Sequence, residues 1–204
     1  MSRKRLFYLI FFLILVFGFF AALAIVMPGY LKPKSPPVSV VQPFSLTNQD
    51  GNNVTDSITR GKVHVVNFFF TTCRSVCPRM NNNLKVIYDE FAKNPDFIML
   101  SFTSDPERDT PVQLKHYADS IKVDTHKWQF ITGRKDSLYS LARNSYKIDD
   151  PKNFVTRIED DFLHTQFIAL VNRQGEVVGI YDGLKPSELR EMSAKIRKLL
   201  NESL

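Results

Sequence analysis

Cysteine is nearly missing from this chain of 204 residues: the only two are Cys73 and Cys77, with three residues between them. A multi-bridge disulfide framework is therefore excluded. A single bridge between them would close a very short loop and add little to the fold, because chain-entropy stabilisation grows with loop length. No acidic residue occurs in positions 1–34, which hold five basic ones, so of the formal net charge of +6 only about +1 belongs to the rest. That near-neutral balance excludes the basic surface expected of a nucleic-acid-binding protein. No internal repeat is present, and there is no low-complexity tract beyond a short proline-rich segment. No cysteine stands directly after the apolar N-terminal run, so attachment through a lipidated cysteine is not expected.

What stands at the N-terminus is a candidate membrane anchor. Arg3-Lys4-Arg5 precedes an uncharged apolar run from Leu6 to Met27, and 22 residues at about 1.5 Å each reach about 33 Å, enough to cross a bilayer core. The positive cluster is expected to hold the N-terminus in the cytoplasm and send the rest across. Ala22-Leu23-Ala24 offers a cleavage site, but the apolar run continues past it, so an uncleaved anchor is expected. Pro28-Gly29 ends the span, and Lys32-Pro33-Lys34-Ser35-Pro36-Pro37 reads as an extended tether. The expected organisation is a cytoplasmic N-terminus (1–5), a transmembrane anchor (6–27), a tether (28–39) and one globular domain (40–204).

The two cysteines follow the apolar run Val63 to Phe70, as Cys73-Arg74-Ser75-Val76-Cys77-Pro78. Proline suits the start of a helix, so Pro78 marks a helix beginning near Cys77. Unpaired N–H groups at a helix start favour anions and lower a thiol's pKa; Arg74 and Arg79 add positive charge. Both sulfurs are expected to be good nucleophiles or soft-metal ligands. Their i, i+4 spacing would place them on one helical face, where they can be oxidised together or share an ion.

The remaining pattern is α/β. Phe44 to Thr47 alternates like a short strand before the turn signal Asp50-Gly51 of a hairpin. Val63–Phe70 and Phe97–Phe102 read as buried strands flanking a helix over 78–92, hence parallel to one another. A helix over 112–120 follows Asp109-Thr110-Pro111, then a strand at Trp128–Ile131 and a helix over 137–146 with Asp136 as its cap. Phe167–Val171 and Val177–Tyr181 flank Asn172-Arg173-Gln174-Gly175 as an antiparallel hairpin, and a last helix covers 187–200. The order βαβ, α, ββ, α predicts a thioredoxin-like sandwich with an N-terminal β-hairpin extension, preceded by one transmembrane helix.

Four histidines are present. His64 lies within a buried strand and reads as a core residue; His116 and His126 sit in polar contexts. His164 closes Glu159-Asp160-Asp161-Phe162-Leu163-His164 just before a buried strand. In thioredoxin-like folds the loop at that point lies against the cysteine turn and commonly carries a cis-proline, absent here. A histidine there would put a nitrogen beside two thiols, a soft set suited to copper.

Three segments together, Phe70-Thr71-Thr72-Cys73 through Cys77-Pro78, Ser104-Asp105-Pro106-Glu107-Arg108-Asp109-Thr110, and Asp160-Asp161-Phe162-Leu163-His164, resemble the signature segments of the Sco/SenC family, in the family's order and at comparable intervals. The resemblance covers the whole domain after the anchor. It implies a membrane-anchored thioredoxin-fold protein that binds copper through Cys73, Cys77 and His164, as Cu(I) or Cu(II), and assists assembly of the binuclear copper site of cytochrome c oxidase. Its partner would be apo subunit II or a related copper protein. Many relatives carry proline after the first cysteine and a different residue before it; Arg74 and Thr72 stand here, and Arg74 adds charge that bears on partner choice or redox potential. Asp105 can lie near the site, although a role for Asp105 and Asp109 in capping the next helix is the plainer reading.

Two functions compete. A metallochaperone would hold copper in an open three-ligand site and pass it on by ligand exchange. A thiol–disulfide oxidoreductase would use Cys73 and Cys77 as a redox-active pair, reducing the cysteines of the oxidase subunit or another envelope protein. Thr71-Thr72-Cys73 does not fit a peroxidase, and three ligands fit structural zinc poorly. The five residues ahead of the span favour the bacterial inner membrane, with the domain in the periplasm, over mitochondrial import.

Overall fold

The computed structural model describes residues 2–26, 36–149, 162–163 and 165–202. The chain divides into two compact units, Met1–Pro36 and Pro37–Leu204. In the first, α1 (Arg3–Val26) is one continuous helix. Its stretch Arg3–Leu23, of mean hydropathy 2.8, is long and apolar enough to cross a membrane. Phe7, Phe12 and Phe17 are all exposed on it, an arrangement that costs free energy in water and none in lipid.

The second unit runs β1 (Ser39–Val40), β2 (Ser45–Asn48), β3 (Asn53–Thr55), β4 (Val63–Phe69), α2 (Val76–Phe91), β5 (Phe97–Thr103), α3 (Pro111–Ser120), β6 (Trp128–Thr132), α4 (Lys135–Ser140), β7 (Phe167–Val171), β8 (Glu176–Asp182) and α5 (Pro186–Asn201). The described strands form one sheet in the order β1-β8-β7-β4-β5-β6-β2-β3. β4 pairs parallel with β5 and β5 with β6, while β7 runs antiparallel to β4. This is the expected thioredoxin-like order. The hairpin of β2 and β3 turns at Gly51 and the hairpin of β7 and β8 at Gly175, both at φ 78°, where a side chain would be strained.

All seven residues of β4 are buried, as are all seven of β5. Alternation then decides which layer each side chain joins. Val63, Val65 and Phe69 pack with Leu84 of α2, Leu114 of α3 and Ile196 of α5. Val66 and Phe68 point the other way, to Leu138 and Tyr139 of α4 and to Phe44 and Leu46 of the N-terminal hairpin. The helices therefore cover both faces, and the loops at the C-terminal ends of β4 and β5 emerge together at one edge of the core.

Local boundaries differ from the sequence reading in three places. β1 was not foreseen; Ser39 and Val40 pair with Val177 and Glu176 of β8. The helix expected over 137–146 is α4 passing into a π-helical turn, Leu141–Ser145. Its N-cap is Arg134, and Asp136 lies inside the first turn, accepting the Ser137 N–H at 2.7 Å. Thr110, not Asp109, caps α3 by accepting the N–H of Gln113.

His64 is buried in β4, its Nδ1 lies 3.4 Å from the Lys62 carbonyl, and its Nε2 has no hydrogen-bond partner among the described residues. Burial lowers its pKa to about 4. The imidazole is thus neutral in the fold, whereas the unfolded chain takes up the proton near its ordinary value of 6.5. Stability is unaffected above that value and falls as pH drops from 6.5 towards 4, by up to about 1.4 kcal/mol per pH unit or about 3 kcal/mol in all. Urea unfolding at pH 7 and pH 4.5 should show this loss in the parent chain and a clearly smaller one in His64→Leu.

Candidate metal and thiol site

Cys73 and Cys77 do not share a helical face. β4 ends at Phe69, the chain turns through Thr71 and Thr72, and Cys73 lies ahead of α2, whose N-cap is Ser75. Cys77 falls in the first turn of the helix. They meet because that first turn has backbone N–H groups without intrahelical acceptors. Ser75 makes no side-chain cap bond, and the N–H of Cys77 instead points at the sulfur of Cys73, 3.4 Å away. A sulfur thus takes the position that a capping oxygen usually fills.

The two thiols are free and unequal. Cys73 is half-buried; Cys77 is 6% exposed and packs into the core with Met80 and Leu84. Burial pushes the Cys73 thiol up, but hydrogen bonds from the Cys77 thiol and from the N–H groups of Ser75 and Cys77 outweigh it and hold Cys73 below the ordinary thiol value. Burial, donation of its proton to Cys73 and repulsion from that sulfur push Cys77 up to about 12. The expectation that both sulfurs are good nucleophiles is not met evenly: the thiolate is favoured at Cys73 and disfavoured at Cys77. Arg74 and Arg79 are exposed and do not rank among the influences on either sulfur.

A cavity of about 440 Å³ opens beside the pair, lined by Phe68 to Phe70, the turn from Thr72 to Cys77, Ser104, and Leu163, Thr165 and Gln166. His164, expected as the third ligand, lies outside the described residues, as do Asp160 and Asp161. Its two sequence neighbours both line the cavity. Phe162 sets its ring edge-on to Phe70 at 5.2 Å and 90°. Among the described residues no three His, Cys, Asp or Glu side chains are grouped to hold a metal. His64 is in the core, and His116 and His126 are exposed.

Asp105 is not among the residues lining the dithiol cavity. It lines an adjoining hollow of about 280 Å³ behind Phe70, with its carboxyl 3.8 Å from Arg108 Nε. Asp109, four residues on, has the larger structural part. It is fully buried, and its carboxyl oxygens accept the N–H of Thr71 at 3.1 Å, the hydroxyl of Thr103 at 2.6 Å and the hydroxyl of Thr71. The turn leading to Cys73 is thereby tied to the end of β5. Behind the dithiol, Trp128 Nε1 donates to Ser101 at 2.8 Å, Ser101 to Asn67 at 2.6 Å, Asn67 to Asn81 at 3.3 Å and Asn81 to the Tyr117 hydroxyl at 2.6 Å. This buried chain fixes the second turn of α2 to the sheet. Sequence reasoning did not find it, because short polar residues in strands and helices carry no periodic signal.

Residues 32–201 match the SCO1/SenC family. The SCO1 protein homolog of Bacillus subtilis is 31% identical over 173 residues, covering 83% of this chain and 87% of the relative. BsSco, a member of the Sco family of cytochrome c oxidase assembly proteins in which a disulfide switch is identified, superposes with a TM-score of 0.68 at 28% identity, over 84% of this chain and all of that one. Arabidopsis thaliana ScoI with copper bound gives a TM-score of 0.63 at 26% identity, over 81% of this chain and 100% of that one.

The thiol asymmetry predicts that iodoacetamide at neutral pH alkylates one cysteine rapidly. The fast phase should disappear in Cys73→Ser and survive in Cys77→Ser, read by mass spectrometry of quenched samples. Asp109→Ala strands the Thr71 N–H and two hydroxyls, and denaturant unfolding should show a loss of about 2–4 kcal/mol.

Proposed function

The chain belongs to the SCO1/SenC family, and from that premise we propose that it is a membrane-anchored copper chaperone whose domain faces the periplasm. Cys73, Cys77 and His164 hold Cu(I) as cargo and release it to apo subunit II of cytochrome c oxidase or a related copper protein. The observation that carries this reading is the pair of free cysteines on the wall of an open cavity, with Leu163 and Thr165, the two sequence neighbours of His164, on the same wall. Two thiolates and an imidazole form a soft donor set that suits Cu(I). An open cavity leaves room for an acceptor's ligand to enter, and transfer by ligand exchange requires that. The copper bound to Arabidopsis thaliana ScoI supports the assignment of cargo.

The anchor assignment rests on α1 and on Arg3-Lys4-Arg5 in its first turn, the positive flank that stays in the cytoplasm. The tether expected over 28–39 then ends earlier, because Val38 and Ser39 already bond to β8, and the unit Pro37–Leu204 serves as the exported domain.

One observation favours a second reading. The half-buried, more acidic Cys73 beside the buried, protonated Cys77 is the division of labour of a dithiol reductant. The Cys73 thiolate would attack a partner disulfide and expel one partner thiolate, forming a mixed disulfide. Cys77 would then lose its proton and attack the Cys73 sulfur, expelling the second partner thiolate. The protein ends oxidised and the partner reduced by the same two electrons. The disulfide switch in BsSco belongs to this class of chemistry.

Anaerobic competition with a bicinchoninate chelator, on the reduced full-length chain in detergent, separates the two. Copper delivery predicts one tightly bound Cu(I), with affinity reduced about tenfold or more in His164→Ala, while the rate of dithiol oxidation changes much less. Negligible binding, or binding indifferent to His164, would leave the dithiol as a redox device.

A further inference from the structure

One buried hydroxyl stands between the cysteine turn and the segment that leads into His164. Tyr139 of α4 is 1% exposed; its OH donates to the Ser104 carbonyl at 2.8 Å and accepts the N–H of Leu163 at 3.1 Å. A phenol has one proton to give and lone pairs to accept with, so both capacities are in use. Ser104 in turn donates its own N–H to the carbonyl of Phe69 at 2.8 Å, and Phe69 ends the strand that feeds the cysteine turn. Three hydrogen bonds therefore run from the Leu163 N–H, through Tyr139 and Ser104, to the end of β4. Leu163 is itself buried and shares the dithiol cavity wall with Ser104. The Phe162 ring on Phe70 docks the same short segment at the same end of the strand. An edge-on ring contact is broad and tolerates sliding, whereas the hydrogen bond is directional and sets the backbone.

We propose that the Tyr139 hydroxyl is a positioning group for copper binding: it holds the backbone of Leu163, the residue covalently joined to His164, on the wall of the cavity that the two cysteines line. The inference rests on the reading of His164 as a copper ligand. Metal sites need support of this kind, since a ligand that is present but loosely held binds poorly. Tyr139 sits in a helix far from the cysteines in sequence, and its hydroxyl reaches the segment through the N–H of Leu163. Tyr139→Phe keeps the ring in the core and removes only the oxygen.

The test is a double-mutant cycle in Cu(I) affinity, by anaerobic bicinchoninate competition on the reduced full-length chain in detergent. Tyr139→Phe should weaken binding about tenfold, the low end of the effect of residues that orient metal ligands. In the His164→Ala background the same change should alter affinity by no more than about twofold, because the group it positions is gone. The rate of Cys73 alkylation should be unchanged by Tyr139→Phe. Parental affinity in Tyr139→Phe would overturn the inference, and so would an equal loss in both backgrounds, which would make the hydroxyl a support of the fold or the cysteine turn. Failure of the ligand reading shows separately, as parental affinity in His164→Ala alone. Phe162→Leu, which loosens the other contact on the segment, should repeat the pattern and serves if Tyr139→Phe does not fold.

Discussion

A single buried carboxyl group holds the cysteine turn in place. Asp109 gathers the Thr71 N–H and the hydroxyls of Thr71 and Thr103, and those donors lie just beyond one parallel strand and at the end of its neighbour. The β4–β5 register puts Phe69 beside Thr103, so the carboxyl spans the place where the two strands stop pairing. Without it the Thr71 N–H and the hydroxyls of Thr71 and Thr103 lose this shared acceptor. The cysteine turn, the start of α2 and the mouth of the cavity all follow from where that segment is pinned.

The same pinned turn makes the two sulfurs unequal. With Cys73 held ahead of the helix, the first free N–H groups converge on one sulfur, and Cys77 is carried inward with the core residues of α2. Charge on Cys73 is favoured, and a proton stays on Cys77. Copper and disulfide chemistry make different demands on that arrangement. A disulfide partner needs only the exposed thiolate at first, whereas a cation bridging both sulfurs must displace the Cys77 proton and replace its hydrogen bond to Cys73 with a metal bond. Metal binding that releases protons is pH-dependent, so a cation held by both sulfurs under the proposed function would bind more weakly as the pH falls.

Much of this was legible in the sequence. The apolar runs of β4 and β5, the helical spacing of Met80, Leu84, Ile87 and Phe91, and the turn residues Asp50-Gly51 and Asn172 to Gly175 each carry a local signal, and each became the expected element. The pairing of Cys73 with Cys77 was legible too, but not its form. The i, i+4 rule presumes that both residues are helical, and the chain spends Cys73 on capping instead. Asp109 was read as a cap because Asp before Thr-Pro fits one; Thr110 took that role, and only tertiary packing turned Asp109 inward. Tyr139 gave no signal, since its hydroxyl serves residues 24 and 35 positions away. β1, two residues long, is held by its pairing to β8 and has no hydrophobic pattern of its own.

Cysteine turn and His164 segment are brought to one cavity by a common reference, the end of β4. Asp109 ties the turn to Thr103, the residue paired with Phe69. Ser104, next in sequence, holds Phe69 by its N–H and Tyr139 by its carbonyl, and Tyr139 holds Leu163. Residues far apart in the chain thus report to two adjacent positions, the last residue of β5 and the one after it, and their geometry follows the β4–β5 register. That register is strongly fixed, because both strands are buried on both faces and a slip of one residue would exchange the two sets of side chains between unlike cores. The rigid centre of the sheet, more than the loops themselves, sets the distance between the sulfurs and the residues that flank His164.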